Sequence, residues 1–513
     1  KKDISDLLQD EIKLIKKRKD LANHPRIKTH VESIENAISS ILSKPKFPFP
    51  EGPRDYQAKA YENWVENGKK GIFAMATGTG KTITSLNCLL EEYKNTESYQ
   101  AVVLVPTNDL LIQWTQEINK FNFVDNIIKV GLDNNWKKKL SRLTTAINFG
   151  ANKSFIIIVT YDSFYRATFK NFINYLPKET VLIADETHNI ARPTIKPLLP
   201  KIEIEKRIGL SATPKRIYDD EGTAEINKFF HDEKPYAYEY SMEKAIINGV
   251  LSQYEYYPHI VSLTSSELEE YKEITKKLIQ FFDPKTKQFK KSDVVTSLLM
   301  KRKRIIHKAE NKLPTFRHII KEETKKNKKL EYTFVYVPEG LNKNNNEEHR
   351  IIADYNQAIM DISTETRIAA FTGKTDNREQ ILNDFESGKI GVLSAMKCLD
   401  EGVDVPRTEL AIFCSSTANP KQFIQRRGRI LRNHDDKKFA RIHDLIVIPR
   451  TDIYSDRSQT FNMEKSQVEN EIKRLADFAN MALNRFEAFE KIQDVCNYYE
   501  IDINSIIETN EAI

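Results

Sequence analysis

The chain has 513 residues, a net charge of +6 and 40% hydrophobic residues, which suggests about three domains with sizeable cores. It contains no apolar run of about eighteen residues, and its charged beginning is unlike a signal peptide, so a cytoplasmic protein without membrane contact is expected. The four cysteines lie far apart, at 88, 398, 414 and 496, which argues against a disulfide framework or a zinc site.

The positive charge is concentrated in one segment. Between Tyr271 and Leu330 there are nineteen Lys or Arg residues against six Asp or Glu residues, so the rest of the chain is slightly acidic. Such a block is typical of a polyanion-binding surface, although charge alone fits a solvated lysine-rich face equally well.

In chain order, residues 1–50 have the pattern of charged helices and end in a proline-rich stretch. From 51 to 230, short apolar runs alternate with helical stretches. The runs lie at 72–76, 101–105, 155–160, 181–184 and 208–212. Because they show no polar alternation, they predict strands buried on both faces, as in a parallel sheet between helices.

The alternation of apolar runs and helical stretches stops at 231–330. Here a tyrosine-rich connection leads into predicted lysine-rich helices, whose residues 301–304 are expected to face mostly outward. Apolar runs return at 332–337, 367–371, 390–394, 410–414 and 441–448, and a helical pattern follows. We therefore predict an α/β protein with two tandem parallel-sheet domains at 51–230 and 331–450. The other segments are N-terminal helices (1–50), a linker and basic helical insert (231–330) and a helical tail (451–513).

The first sheet domain contains a candidate phosphate-binding loop, MATGTGKT at 75–82, between an apolar strand and a helix. Its nucleotide-binding candidates are Gly78, Thr79, Gly80, Lys81 and Thr82. Lys81 would reach the terminal phosphates, and the Thr82 hydroxyl would bind Mg²⁺. Met75 stands where the usual motif has a glycine, so by itself the sequence also fits an ordinary turn.

An acidic pair, Asp185 and Glu186, follows the strand at 181–184. Asp185 could hold the Mg²⁺ that Thr82 also contacts, and Glu186 could orient or deprotonate the attacking water. A helix N-cap is the alternative, but it becomes less attractive beside a phosphate loop in the same sheet.

With these motifs the chain resembles the superfamily 2 helicases and translocases, and further motifs follow in the family's order over about residues 54–450. Arg54 and Gln57 are similar to its adenine-reading element. Thr107, with Gln113 and Trp114, resembles a strand-contacting motif, and Thr160 ends another strand at a matching position. The triplet 211–213 resembles the motif that couples hydrolysis to nucleic-acid grip.

In the second sheet domain, Thr372 and Gly373 resemble a contact to the nucleic-acid backbone. The stretch DEGVDVP at 400–406 resembles the interdomain motif, with Gly402 and Asp404 as nucleotide-binding candidates. QRRGRILR at 425–432 resembles the arginine motif. The resemblance implies that Arg429 and Arg432 are arginine fingers for ATP hydrolysis, and, three apart on a predicted helix, they would share a face.

The resemblance implies two RecA-like lobes that bind ATP with Mg²⁺ and couple hydrolysis to movement on nucleic acid. The combination of motifs is most similar to the branch with type I and type III restriction motors and excision-repair translocases, which favours a DNA helicase or a translocase on double-stranded DNA. Lys301, Arg302, Lys303 and Arg304 would then contact DNA. An RNA helicase, or a nucleic-acid-sensing ATPase switch, remains an alternative. A nuclease on another domain or subunit, and a role in defence or in DNA repair, also stay open.

Overall fold

The structure is a computed structural model that describes most of the chain from residue 44 onward. The described residues are 12–14, 27, 31, 44–166, 169, 172–216, 219–283, 288–290, 292–327, 329–338, 347–372, 375, 377–396, 407–415, 420–449 and 461–511. The predicted N-terminal helices therefore lie mostly outside the described residues. Within these ranges, no helix is both long enough and apolar enough to cross a membrane.

The chain forms two compact units, and the main division between them follows Tyr240. The first unit contains a seven-stranded sheet with the order β3-β4-β2-β5-β6-β1-β7, in which every pairing is parallel. Its strands are β1 (Lys70–Met75), β2 (Gln100–Val105), β3 (Ile127–Val130), β4 (Phe155–Thr160), β5 (Val181–Asp185), β6 (Lys206–Ser211) and β7 (Tyr238–Tyr240). The predicted first parallel sheet is confirmed, with β3 and β7 as two additional short strands.

Helices accompany the strands of this first sheet, and three of them, at 136–148, 161–164 and 220–230, join strand residues in one core. The helices are α1 (Asp55–Glu66), α2 (Lys81–Thr96), α3 (Asn108–Lys120), α4 (Trp136–Asn148), α5 (Tyr161–Phe164) and α6 (Asp220–Phe230), with 3₁₀ turns at Thr187–Asn189 and Lys196–Lys201. Because all the strands are parallel, their carboxyl ends meet at one edge, where open α/β sheets bind ligands. The phosphate loop and the acidic pair both lie at this edge.

The second unit contains a six-stranded parallel sheet with the order β12-β13-β11-β14-β15-β8, and a small antiparallel pair, β9 and β10. The strands are β8 (Tyr254–Ser262), β9 (Phe282–Asp283), β10 (Gln288–Phe289), β11 (Thr333–Tyr336), β12 (Ile368–Phe371), β13 (Val392–Ala395), β14 (Leu410–Phe413) and β15 (Ala440–Ile448). The second predicted sheet is therefore also confirmed.

The helices of the second unit include those of the basic segment and of the C-terminal tail. They are α7 (Met242–Ile247), α8 (Ser265–Ile279), α9 (Asp293–His307), α10 (Lys312–Asn327), α11 (Glu347–Met360), α12 (Arg378–Glu386), α13 (Pro420–Ile430), α14 (Phe461–Ala479), α15 (Arg485–Glu490), α16 (Gln493–Tyr499) and α17 (Ile503–Glu511). The structure differs here from the sequence-based division. Segment 231–330 supplies β8 to the second sheet, and residues such as Leu278, Ile305 and Phe316 from its helices enter the same core.

Candidate active site

The phosphate loop joins the end of β1 to the start of α2. Gly78 and Gly80 both have positive φ angles, +90° and +80°, which side chains other than glycine rarely adopt. The Thr79 hydroxyl donates to the Ala76 carbonyl at 2.7 Å and fixes the turn. Lys81 starts the helix, and its Nζ lies 3.3 Å from the Met75 carbonyl oxygen. The helix N-terminus and this ammonium group together suit an anionic ligand.

The structure explains why Met75 can replace the usual glycine. Met75 is the last residue of β1 and pairs with Tyr240 of β7, so it lies in an ordinary extended strand. Its side chain is fully buried in the core. The positive φ angles that need glycine begin later in the loop, so this departure from the motif leaves the loop intact.

The adenine-element candidates lie beside the phosphate loop. The buried Gln57 side chain accepts a hydrogen bond from the Arg54 backbone N–H at 3.0 Å, and this fixes the start of α1. A Cβ atom on Gly80 would lie 3.3 Å from the Gln57 amide nitrogen. The Tyr56 ring stacks on Tyr240, with centroids 4.3 Å apart. The structure thus brings the two predicted nucleotide elements of the first unit together.

Asp185, the last residue of β5, is almost completely buried, and donors surround it. Its Oδ2 accepts a hydrogen bond from Trp114 Nε1 at 2.9 Å, and its Oδ1 accepts one from the Glu186 backbone N–H at 2.9 Å. The Asp185 carbonyl accepts the Tyr161 hydroxyl at 2.7 Å. Burial raises the pKa of Asp185, and the Trp114 hydrogen bond and the charge of Lys81 oppose this rise.

Glu186 occupies a strained position next to this carboxylate. Its backbone is left-handed, with φ 47° and ψ 61°. Such a conformation is unfavourable for a residue with a side chain, and its persistence is typical of functional sites. Its carboxylate Oε2 lies 3.4 Å from His188 Nδ1. The chain therefore turns sharply after β5. As a result the Asp185 carboxylate is buried among hydrogen-bond donors, whereas Glu186 is partly exposed.

The acidic motif is tied to the end of the neighbouring strand β6. The buried Thr187 hydroxyl donates to the Leu210 carbonyl at 2.9 Å, and Arg216 donates to the His188 carbonyl at 2.6 Å. Ser211, where β6 ends, accepts a hydrogen bond from the Thr213 backbone N–H at 3.1 Å. The acidic motif is therefore hydrogen-bonded to Leu210 and Arg216, which lie on either side of the 211–213 triplet.

Thr107 lies two residues after β2, and Thr160 is the last residue of the adjacent strand β4. Each of them caps the helix that follows. Thr107 Oγ1 accepts the Leu110 N–H at 3.3 Å at the start of α3. Thr160 Oγ1 accepts the Ser163 N–H at 3.2 Å. These caps place both residues on the edge of the sheet that carries the phosphate loop, as the sequence predicts. Whether they contact nucleic acid stays a prediction.

Sequence reasoning missed the role of Trp114. Its motif resembles a strand contact, but its indole is buried and donates to Asp185 instead. The signal was present in the helical spacing, because Leu111, Trp114 and Ile118 lie on one face of α3 and are all buried. A tryptophan on the buried side of a helix needs a partner for its N–H group.

The arginine motif in the second unit divides into two pairs with different surroundings. Arg426 is buried with its guanidinium 4.7 Å from the Tyr336 ring centroid. Arg427 is also buried, in an ion pair with Asp477 at 3.0 Å. Both are packing residues of the second unit. Arg429 and Arg432 are partly exposed, which leaves them as the candidates for contacting ATP.

The expectation that Arg429 and Arg432 share a helical face is wrong. Helix α13 ends at Ile430, and Arg432 instead forms an isolated antiparallel bridge with Leu251. The two arginines therefore start from different backbone conformations, and the direction of Arg432 is not set by helical geometry.

The other predicted positions in the second unit have mixed outcomes. Thr372 follows β12, and its backbone N–H donates to Thr375 Oγ1 at 2.8 Å. Gly373, Gly402 and Asp404 lie outside the described residues.

On α9, Lys301, Lys303 and Arg304 are exposed, as expected. Arg302 is a correction to the outward-facing prediction: it is buried over the Tyr271 ring, at 5.8 Å, so it packs the helix instead of facing solvent.

The fold and the site together define an ATPase with two parallel-sheet units, a phosphate loop and an acidic pair. Residues 51–216 match the family described as type III restriction enzyme, res subunit, and residues 325–434 match the helicase conserved C-terminal domain. The chain is 30% identical over 418 residues to the DNA 3'-5' translocase XPB2 of Sulfurisphaera tokodaii. The matched region covers 80% of this chain and 85% of that protein. The chain therefore belongs to the superfamily 2 helicases and translocases.

A solved structure shows the same fold at greater sequence distance. The ATP-dependent type ISP restriction-modification enzyme LlaBIII bound to DNA superposes with a TM-score of 0.58 at 16% identity. The match covers 90% of this chain but only 33% of that enzyme, so it supports the arrangement of strands and helices and not the activity of the larger protein.

Proposed function

We propose that this ATPase uses hydrolysis to move along double-stranded DNA. The observation that carries the proposal is helix α3, because it contacts both the predicted nucleic-acid site and the predicted ATP site. The nucleic-acid candidate Thr107 caps its N-terminus, and Trp114, two turns later, donates to the candidate metal ligand Asp185. A change in the grip at Thr107 can therefore alter the ATP site through one rigid element.

The assignment of DNA as the nucleic acid that this motor binds is supported by two independent features. The similar protein from Sulfurisphaera tokodaii is named a DNA 3'-5' translocase. In the second unit, α9 exposes Lys301, Lys303 and Arg304 in a segment of high positive charge. Such groups neutralise phosphates and release counterions without reading sequence, as a motor that must pass over any sequence requires.

The chemistry follows from the residues at the sheet edge. The loop N–H groups and Lys81 bind the phosphates of ATP, and Glu186 orients or deprotonates the attacking water. Arg429 and Arg432 supply positive charge where it develops on the γ-phosphate, an effect worth about 10³–10⁵ in rate for arginine fingers. Arg54 and Gln57 hold the base.

Asp185 and Thr82 fit a Mg²⁺ ion. Carboxylate and hydroxyl oxygens are ligands that this ion prefers, and it lowers the cost of ionising a buried carboxylate such as Asp185. Within the described ranges, no group of three or more His, Cys, Asp or Glu residues could hold a metal by itself. Phosphate oxygens and waters would complete the shell, as is usual for Mg²⁺. When bound, the ion would neutralise charge on the transferred phosphate.

The first experiment is ATP hydrolysis measured without nucleic acid and with duplex DNA, single-stranded DNA or RNA. Stimulation by duplex DNA that disappears in Lys81→Ala and in Arg429→Ala is the expected result. Triplex displacement then distinguishes movement from a static switch, because a translocating motor removes the third strand from duplex DNA. Lys59→Ala, an exposed lysine on α1, is the matched control for loss of a positive charge.

The other outcomes separate the alternatives. Stimulation by RNA alone would identify an RNA helicase, and stimulation without triplex displacement would identify a nucleic-acid-sensing switch. A nuclease partner and a role in defence against foreign DNA or in repair also belong to this proposal. They are supported by the family description of residues 51–216 as a restriction-enzyme subunit, and co-purification from the native host tests them.

A further inference from the structure

The C-terminal end of the arginine-motif helix α13 has unusual partners. The last carbonyl groups of a helix have no partners within the helix and need others. Here the ammonium group of Lys437 donates to the carbonyls of both Ile430 and Arg432, the latter at 3.0 Å. The Leu431 carbonyl accepts the Ser252 backbone N–H at 2.7 Å. The carbonyl of the last helical residue, Ile430, and those of the two residues after it are thus bound by groups from outside the helix.

Lys437 is an unexpected residue in this position, because its side chain is only 7% exposed. Burial lowers the pKa of Lys437 to about 7, against an opposing effect from the carboxylate of Glu409. Burying an amine is costly unless its donors are used. A cation at a helix C-terminus is stabilised by the carbonyls there, which explains why a lysine is tolerated. The next residue, Lys438, is exposed.

A second set of contacts to residues 430–433 comes from the segment between α7 and β8. Leu251 forms the antiparallel bridge with Arg432, and the Ser252 hydroxyl lies 3.2 Å from the Arg432 carbonyl and 2.8 Å from Asn433 Oδ1. The Asn433 amide in turn donates to the Gly249 carbonyl. A single hydroxyl proton serves one of its two acceptors at a time, so Ser252 contributes less than Lys437 does.

These contacts matter because Arg432 lies beyond the last helical residue. A side chain on a helix inherits its direction from the helical hydrogen bonds, but Arg432 does not. Its backbone is fixed by Lys437, Leu251 and Ser252. Misplacing a catalytic group by about 1 Å can cost about a hundredfold in rate.

We propose that Lys437 and Ser252 are positioning residues for ATP hydrolysis, which hold the backbone at 430–433 and thereby aim Arg432 at the nucleotide. The inference rests on the proposed function, in which Arg432 acts on the γ-phosphate. It goes beyond that function by assigning a role to two residues outside the arginine motif, one of them after it and one in the segment that precedes β8.

The test compares Lys437→Met with Lys438→Met, which removes a neighbouring exposed charge. With saturating DNA, Lys437→Met should lower kcat by about tenfold or more and change the KM for ATP by less than about twofold, since Arg432 acts in the transition state. Lys438→Met should leave both constants unchanged. An unchanged kcat in folded Lys437→Met, or equal losses in the two variants, would overturn the proposal.

A double-mutant cycle separates positioning from general damage. In an Arg432→Ala background, Lys437→Met should cause little further loss of kcat, because the group that it positions is already absent. Multiplicative losses would contradict the proposal. Ser252→Ala, a smaller change, should show the same non-additivity if Lys437→Met does not fold. If Arg432→Ala keeps full ATPase activity, the proposed role of Arg432 in hydrolysis is wrong. If Arg432→Ala loses activity but Lys437→Met keeps it, the role of Arg432 stands and the positioning role of Lys437 is wrong.

Discussion

Trp114→Phe removes the donor that holds Asp185 Oδ2 at 2.9 Å while it keeps a buried aromatic ring in place. A hydrogen bond to a charged group contributes about 1.5–3 kcal/mol, and about 1.4 kcal/mol corresponds to a tenfold change in an equilibrium constant. Losing a partner that orients a metal ligand typically weakens metal affinity by about 10–100-fold. We therefore expect the Mg²⁺ concentration for half-maximal ATP hydrolysis to rise within that range.

The pH dependence should change in a defined direction. Burial already raises the pKa of Asp185, and the Trp114 hydrogen bond favours the ionised form. Without it the pKa rises further, so more of the carboxyl is protonated at a given pH. The acid limb of the ATPase profile should shift to higher pH in Trp114→Phe.

Trp64→Phe is the matched control for these measurements. Trp64 is equally buried, and its indole donates to the Arg207 carbonyl at 2.9 Å, away from Asp185. Both variants should lower the melting temperature, because each loses a buried hydrogen bond and leaves a space. Only Trp114→Phe should change the Mg²⁺ and pH dependence. Equal Mg²⁺ dependence in the two variants would refute the assignment of Trp114 as a support for Asp185.

Three further predictions concern other parts of the chain. Thr187→Val keeps the shape but loses the hydroxyl bond to Leu210, so stability should fall by about 1 kcal/mol, and an unchanged thermal melt would contradict this. Replacing Lys301 and Lys303 by Gln should reduce the slope of log affinity for DNA against log salt by about 2; an unchanged slope would remove α9 from the DNA path. Because the pKa of Lys437 is lowered to about 7, the unfolded chain binds more protons between about pH 7 and 10.5, so stability rises with pH in that window. Lys437→Met should lose this rise in thermal melts, and an equal rise in both proteins would contradict it.

The positions of the phosphate loop and the acidic pair were predictable, because buried parallel strands are continuous apolar runs in the sequence and these motifs directly follow such runs. Strand β8 was not predictable in this way. Its residues alternate between buried and partly exposed, it contains Pro258, and its tyrosines resemble a connection. Proline is tolerated in a sheet mainly at an edge strand, and β8 lies at the edge, paired only with β15 among the described strands. A local pattern does not reveal which sheet an edge strand will join.

The arginine motif shows why motif recognition alone cannot assign roles to adjacent residues of one type. Four arginines lie within seven positions, and the turn of α13 sends Arg426 and Arg427 into the core. Arg427 needs Asp477 from α14, whose Phe478 also packs 4.1 Å from the Phe423 ring. Helix α14 is therefore part of the structure that presents the motif. The residues that decide how the arginines are held come from segments that no motif marks.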